Sequence, residues 1–498
     1  MTAACGVAPL RYAASGGTGA YHVSVMPSPF RSLKHPNYRR YFLGQIVSFT
    51  GSWMQSAALM WLLYDRTGDV RWPSYLLVAQ VGPTILLGTW AGHLADRWPK
   101  RDLIARTQAA FLVNAVVLAV LVAGGWAFPL LVLALQALNG VIQAIDLPTR
   151  LAFVPDLVPR EDLINAVGLN AMLFNSGRAV GPAATGLLFL LAAKVAPHVG
   201  SLDAVALGAV GCFALNALSF LAVLLALRRI EVPGLPTDRP PPGSMWDGVR
   251  YLAGRRRLGG LVVLTFVLCS FAWPVLTLFP GYTRTRLGLA EESYSFLVSA
   301  LGAGALVGAL GCATYGTPAR RGAFLVFGTA ATAAGLWGLA ETTTALAAVG
   351  CAGCVGFGLI LFLSTGQSAV QLAVPDDVRG RVMAVWAMTL SASAPAGHLL
   401  AGQLAGAAGV APVLRGMALG CAVVAAALAV LLSRGGAGRD GPAAHRSPPC
   451  PPAAPPSPPS PPRRSPAPRT RRRSRCPPSA PKSPSPSATR AWAAASRR

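Results

Sequence analysis

Long apolar runs alternate with short polar stretches between residues 41 and 433. A bilayer core about 30 Å thick takes about 20 residues of helix to cross. Windows of that length predict spans near 41–64, 74–95, 103–124, 127–147, 163–192 and 203–227. Six more are predicted near 258–282, 293–316, 322–340, 343–371, 382–404 and 411–433. Between the two sets lies a polar, basic stretch containing Pro236, Pro240, Pro241 and Pro242. Two similar hexads joined by one hydrophilic linker are the layout of a transporter built from repeats. The expected organisation is a leader over 1–40, a six-helix bundle over 41–228, a linker over 229–257, a second six-helix bundle over 258–433 and a tail over 434–498.

Composition strengthens this picture. Charged residues make up only 12% of the 498, about half the ~25% of a soluble chain, which excludes a water-soluble enzyme. The net charge of +25 is uneven, because the tail holds fourteen Lys/Arg against one acid and eighteen of the 42 prolines. With almost no apolar bulk, the tail is expected to be disordered, and its charge suits anionic lipid better than nucleic acid, for which interleaved aromatics are missing. Met26 opens the more typical leader and is the expected start. Short loops on one side carry seventeen Lys/Arg and those on the other carry six. That bias predicts a multi-pass protein of the cell (plasma or inner) membrane with both termini cytoplasmic.

The loop after the second span reads Gly92, His93, Leu94, Ala95, Asp96, Arg97, Trp98, Pro99, Lys100, Arg101. Gly92 would let a neighbouring helix approach, Asp96 would face a helix N-terminus, and Arg97, Lys100 and Arg101 would hold the loop at the cytoplasmic face. This run resembles the loop signature of the major facilitator superfamily, Gly-x-x-x-Asp-Arg-x-Gly-Arg-Arg, with Pro99 where the family usually has Gly. The segment with Asp376, Asp377, Arg379 and Arg381, and the segment with Asp146, Pro148 and Arg150, resemble the subgroup that contains the enterobactin exporter and macrolide efflux pumps. In the fifth span, Gly177, Gly181, Pro182 and Gly186 resemble the superfamily's antiporter signature, with Thr185 replacing one Gly.

The resemblance covers residues 30 to 433. It implies an all-α major facilitator fold, two six-helix bundles around a central cavity, acting as a monomer. It also implies export of a small organic molecule (drug, macrolide or siderophore-like) by alternating access, coupled to proton antiport. Asp96 and the loop with Arg379 and Arg381 would latch the cytoplasmic side. An uncoupled facilitator or importer of a metabolite is the other transporter reading, and a membrane sensor or scaffold is the remote one. No phosphate-binding loop for ATP occurs, and no nucleophile or metal constellation suggests an enzyme, so no cofactor or metal is expected.

Arg178 is the full charge deep in a span, where it costs about 2.5–3.5 kcal/mol unless it meets partners or water. The family's more usual intramembrane Arg is replaced by Gln136 on the fourth span. Arg178 either takes over part of that role or binds an anionic substrate directly. Polar stripes with helical steps, Gln45, Ser48, Ser52 and Gln55 in the first span and Gln136, Asn139, Gln143 and Asp146 in the fourth, should face a wet cavity or one another. Asn175, Trp273 and Gln367 complete the expected substrate-binding set. Asp96, Asp146, Asp203 and Glu341 all fall near predicted span ends, which leaves His398 in the eleventh span as the proton-coupling candidate.

Overall fold

The structure, a computed structural model, describes residues 30–199, 202–230 and 245–433. The tail expected to be disordered, most of the leader and the Pro-rich part of the linker lie outside the described residues. The first half is built of α1 (Pro36–Thr67), α2 (Arg71–Arg97), α3 (Lys100–Ala123), α4 (Pro129–Leu157), α5 (Leu163–Val199) and α6 (Ala204–Arg228). A short helix, α7 (Met245–Ala253), precedes α8 (Arg256–Ala272) and α9 (Val275–Tyr282). The chain then runs through α10 (Glu291–Tyr315), α11 (Arg321–Glu341), α12 (Ala345–Ala373), α13 (Asp376–Ala408) and α14 (Val410–Ser433), and no strand occurs among the described residues.

Each predicted span is occupied by helix. Nine stretches of the described residues are long and apolar enough to cross a membrane on composition alone. The others, α1, α2 and α13, run for 32, 27 and 33 residues but carry more polar side chains. That is expected of helices which show water or a neighbour, rather than lipid, along one face.

The seventh span is broken. Pro274 has no N–H to continue the ladder, so α8 stops at Ala272, the chain passes Trp273 and Pro274, and α9 begins at Val275. The Thr277 hydroxyl donates to the Pro274 carbonyl (2.9 Å) at the start of α9.

Helix packing reveals a repeat. In the first half α1 packs on α5 and α6, α2 on α4, and α3 on α4 and α6. In the second, α8 packs on α13 and α14, α10 on α12, and α11 on α12 and α14. With α8 and α9 counted as one broken span, the pairing is the same position for position. The halves meet through α5 with α10 and through α13 with α2, two seams that exchange when the halves are exchanged. These are two six-helix bundles of one design.

Polar contacts gather at two ends. At the end carrying the 92–101 loop (the motif face), Lys100 pairs with Asp156 at 2.6 Å, and Arg101 donates to the carbonyls of Leu227 and Arg228, tying the loop to the end of α6. At the opposite face Arg66 pairs with Asp203 (2.6 Å) and Arg415 with Glu341 (2.7 Å).

The last residues of the expected leader are folded. A turn at Arg31–Lys34 docks on the α4–α5 connection, where the fully buried Asp162 carboxylate accepts from His35 (2.7 Å) and Lys34 (3.0 Å) and forms an ion pair with Arg31 (2.6 Å). The His35 hydrogen bond, then that of Lys34 and the Arg31 charge, hold the Asp162 carboxyl below its ordinary value despite burial.

Candidate functional site

On α5 the antiporter-like segment sits tightly against α1. A Cβ on Gly181 would lie 2.6 Å from the Trp53 Cβ and 2.8 Å from the Thr50 carbonyl, and one on Gly177 would lie 3.2 Å from Phe49 and Trp53. Only glycine allows this approach. Pro182, one residue on, cannot donate to the carbonyl of Arg178 four residues back. That carbonyl faces Gly302 of α10, whose added Cβ would come within 2.6 Å of it. Thr185, at the position where the signature has Gly, donates to the Met54 carbonyl of α1 at 3.1 Å.

This packing fixes Arg178. It lies fifteen residues into α5, roughly 22 Å along the helix, and is 6% exposed. Its guanidinium carbon sits 5.2 Å from the ring centre of Trp53 on α1 and 4.9 Å from that of Trp273 at the α8–α9 break. One half of the molecule supplies the cation and one indole, and the other half supplies the second indole. Cation–π contacts are worth about 2 kcal/mol when desolvated, so the pair offsets part of the cost of burying the charge. The broken span is what places Trp273 there.

A second polar centre lies in the first half, between α5's site and the motif face. Asp146 of α4 is 4% exposed; it forms an ion pair with Arg150 one turn on and accepts from Thr107 (2.6 Å) and Gln108 (3.1 Å) of α3. Arg150 donates onward to Gln45 of α1 at 2.6 Å and lies over the Phe49 ring. Asp146 falls near the end of the predicted span, but not at the end of its helix. Helix α4 continues eleven residues past it, to Leu157, roughly 16 Å further along the helix axis.

The remaining expected substrate residues disperse. Gln45 is bound to Arg150, and Gln55 accepts from Asn216 of α6 at 2.8 Å, so both amides of the first-span stripe are used inside the first bundle. The Ser52 hydroxyl donates to the Ser48 carbonyl of its own helix. Gln136 is buried, and its amide nitrogen has no hydrogen-bond partner among the described residues. Asn139 and Gln143 are half-buried and Gln367 is exposed. His398 is buried, with Nδ1 at 3.2 Å from the Thr277 hydroxyl on α9. The side chain of Asn175 lies outside the described residues.

Among the expected gating residues, the role of Gly92 in close packing is corrected: a Cβ there would meet nothing within 4 Å, because α2 meets α13 at its other end. Arg97 is exposed. Arg379 donates to the carbonyls of Gln371 and Val374 at the end of α12, and Arg381 pairs with Asp247 of α7 at 3.2 Å. The side chains of Asp96, Asp376 and Asp377 lie outside the described residues.

Toward the face opposite the motif, the halves are pressed together. Trp61 of α1 stacks on Tyr294 of α10 (5.5 Å between centres), Tyr75 of α2 accepts from Gln403 of α13 (2.6 Å), and Asp65 approaches Arg284 (3.8 Å). Ser74 lies against Gly402, where a Cβ would come 2.4 Å from the hydroxyl. These contacts shut that end of the seam, and sequence periodicity carried no sign of them. Two apolar recesses, about 690 Å³ between α5, α10 and α12 and about 440 Å³ between α10, α11 and α12, contain none of the expected site residues.

Residues 27–449 match the family described as transmembrane secretion effector. The chain belongs to that family. With its fold, this makes it a transporter of the major facilitator superfamily rather than an enzyme. It is 26% identical over 384 residues to the enterobactin exporter of Shigella boydii, covering 74% of this chain and 85% of that one. It is 25% identical over 273 residues to the staphyloferrin A transporter of Staphylococcus aureus, covering 54% of this chain and 65% of that protein, just under two thirds of the latter's length. Among solved structures, a bacterial homologue of the lysosomal transporter Spinster superposes with a TM-score of 0.62 at 14% identity over 82% of this chain and 97% of that one. The nucleoside transporter NupG gives 0.60 at 12% identity over 80% and 99%. Both likenesses concern the fold.

Proposed function

We propose that this transporter exports a siderophore-like, anionic organic molecule by alternating access, taking it up at the motif face and releasing it at the opposite one. The observation that carries the reading is Arg178, held at the mid-depth seam between indoles from both halves. A cation there meets an anionic solute, and a solute wedged between Trp53 and Trp273 touches both bundles. The relatives named for enterobactin and staphyloferrin A support the substrate class. The basic loops support a cytoplasmic motif face.

In this reading the gathered contacts at the opposite face describe a state closed to the outside. Arg379 and Arg381 exchange their present partners for Asp96 when the motif face shuts. The chain acts as a monomer, and proton antiport drives the export.

The test is transport of enterobactin by the full chain in proteoliposomes. Arg178→Ala should lose substrate-dependent exchange, and Arg178→Lys should keep part of it, because the charge remains and the planar contact is lost. Wild-type exchange by Arg178→Ala would remove Arg178 from the site. Collapsing the pH gradient separates the antiporter, which stops concentrating substrate, from an uncoupled facilitator, which never did.

A further inference from the structure

The smaller apolar recess, about 440 Å³, is shaped by the way three helices meet. Helices α10 and α11 each pack closely on α12 but barely on one another. Glycines set the two close approaches: a Cβ on Gly308 would lie 2.4 Å from the Phe357 carbonyl, and one on Gly328 would lie 2.7 Å from that of Gly358. A groove is left between α10 and α11, lined on the α12 side by Phe357 and Leu361. Leu310 of α10 and Phe327 of α11 flank it and are 58% and 57% exposed. Lipid tails are as apolar as these side chains, so a groove open to the bilayer suits an acyl chain.

The groove runs to the motif face. Tyr315, at the end of α10, stands 59% exposed at its rim, in keeping with the enrichment of Tyr at membrane–water interfaces. The 316–320 loop follows and leads into α11 at Arg321. In the repeat, α10 and α11 match α2 and α3, so this loop stands where the 92–101 loop stands in the first half.

The two loops use their basic residues differently. Lys100 pairs with Asp156, and Arg101 is tied to carbonyls at the end of α6. The guanidinium groups of Arg320 and Arg321 have neither a hydrogen bond nor an ion pair among the described residues. No Asp or Glu lies between Glu292 and Glu341, and α12 has none; those two acids sit at the other ends of α10 and α11. Two unspent cations therefore border an apolar groove, with no acid on its three helices at that end to neutralise them.

We propose that the groove and its two arginines bind one anionic glycerophospholipid of the membrane. The phosphate sits at Arg320 and Arg321, whose planar donor forks match its oxygens. An acyl chain lies along the groove past Phe324 and Phe327, which follow Arg321 at helical steps of three and reach roughly 9 Å along α11. Basic pockets between spanning helices hold phospholipid headgroups in the same way. The site is separate from Arg178 and independent of the solute carried.

The test is native mass spectrometry of the purified full chain, titrated in detergent with phosphatidylglycerol or with phosphatidylethanolamine of the same acyl chains. Wild type should hold one phosphatidylglycerol more tightly than phosphatidylethanolamine. Replacing both arginines, Arg320→Gln with Arg321→Gln, should weaken phosphatidylglycerol about tenfold or more and leave phosphatidylethanolamine unchanged. Arg320→Lys with Arg321→Lys should keep most of the preference, because the charge remains. A Cβ on Gly311, which lines the groove, meets nothing within 4 Å. Gly311→Leu therefore fills the groove without a clash and should weaken the same lipid by a similar factor. Equal retention of the two lipids by wild type, or phosphatidylglycerol binding untouched by either the paired Gln variant or Gly311→Leu, would overturn the proposal. So would displacement of the lipid by an equal concentration of inorganic phosphate, or a dimer that Gly311→Leu dissociates, which would make the occupant a second copy of the chain.

Discussion

At the residue scale, Asp162 shows what a single carboxylate does at the motif face. It is fully buried under Arg31, Lys34 and His35, and its pKa is depressed, first by the His35 hydrogen bond. A depressed carboxyl stabilises the fold above its unfolded value, ordinarily 3.8, and that contribution is lost as pH falls through the folded value. Asp162→Asn should therefore melt below wild type at neutral pH, and the gap should close toward pH ~3; thermal unfolding in detergent across pH reads this directly. Such residues explain the limits of sequence reading. The stripe Gln45, Ser48, Ser52 and Gln55 was legible as one face of α1, but periodicity does not say what that face meets, and the structure turns it to Arg150 and Asn216. The predicted fourth span stopped at 147 because hydropathy fades there, whereas α4 runs on to Leu157 with two prolines, Pro148 and Pro155, inside it. Arg178 was visible as a buried charge, whereas its indole partners come from segments far apart in the chain.

Among the elements, α5 and the broken seventh span set the site jointly. The glycine spacing on α5 identified a close-packing helix, and the structure adds that its partner is α1. Gly181→Leu should cost about 1–3 kcal/mol by overpacking against Trp53 and Thr50 and should displace Arg178. Lowered thermal stability together with weakened exchange would show both effects. Gly92→Ala, on α2, meets open space in this conformation and should leave stability within about 0.5 kcal/mol of wild type. All twelve spans were legible because a bilayer imposes a length and an apolar run on each. The seventh span's break at Trp273 and Pro274 was not separated from the continuous apolar run around it.

For the whole molecule, the repeated pairing scheme makes the α5–α10 and α13–α2 seams equivalents. Fixing one should hold both. A disulfide between Ser74→Cys and Gly402→Cys should stop exchange by the purified chain, and a reductant should restore it. Transport that continued with the bond formed would contradict rocking of the halves. The repeat was foreshadowed by two hexads of similar length, but which end is closed depends on side chains from both halves, a long-range property that local pattern does not contain.

The shut end also has a thermodynamic character of its own. Trp61 Nε1, Tyr294 Oη and Ser74 Oγ are buried there with no hydrogen-bond partner among the described residues, and a buried polar atom left without a partner costs on the order of 1–3 kcal/mol. Opening would expose all three to solvent, so they oppose the closure that stacking and shape hold. Tyr294→Phe removes one opposing atom while keeping the ring. It should lengthen the closed dwell time in single-molecule distance recordings and slow release of cargo.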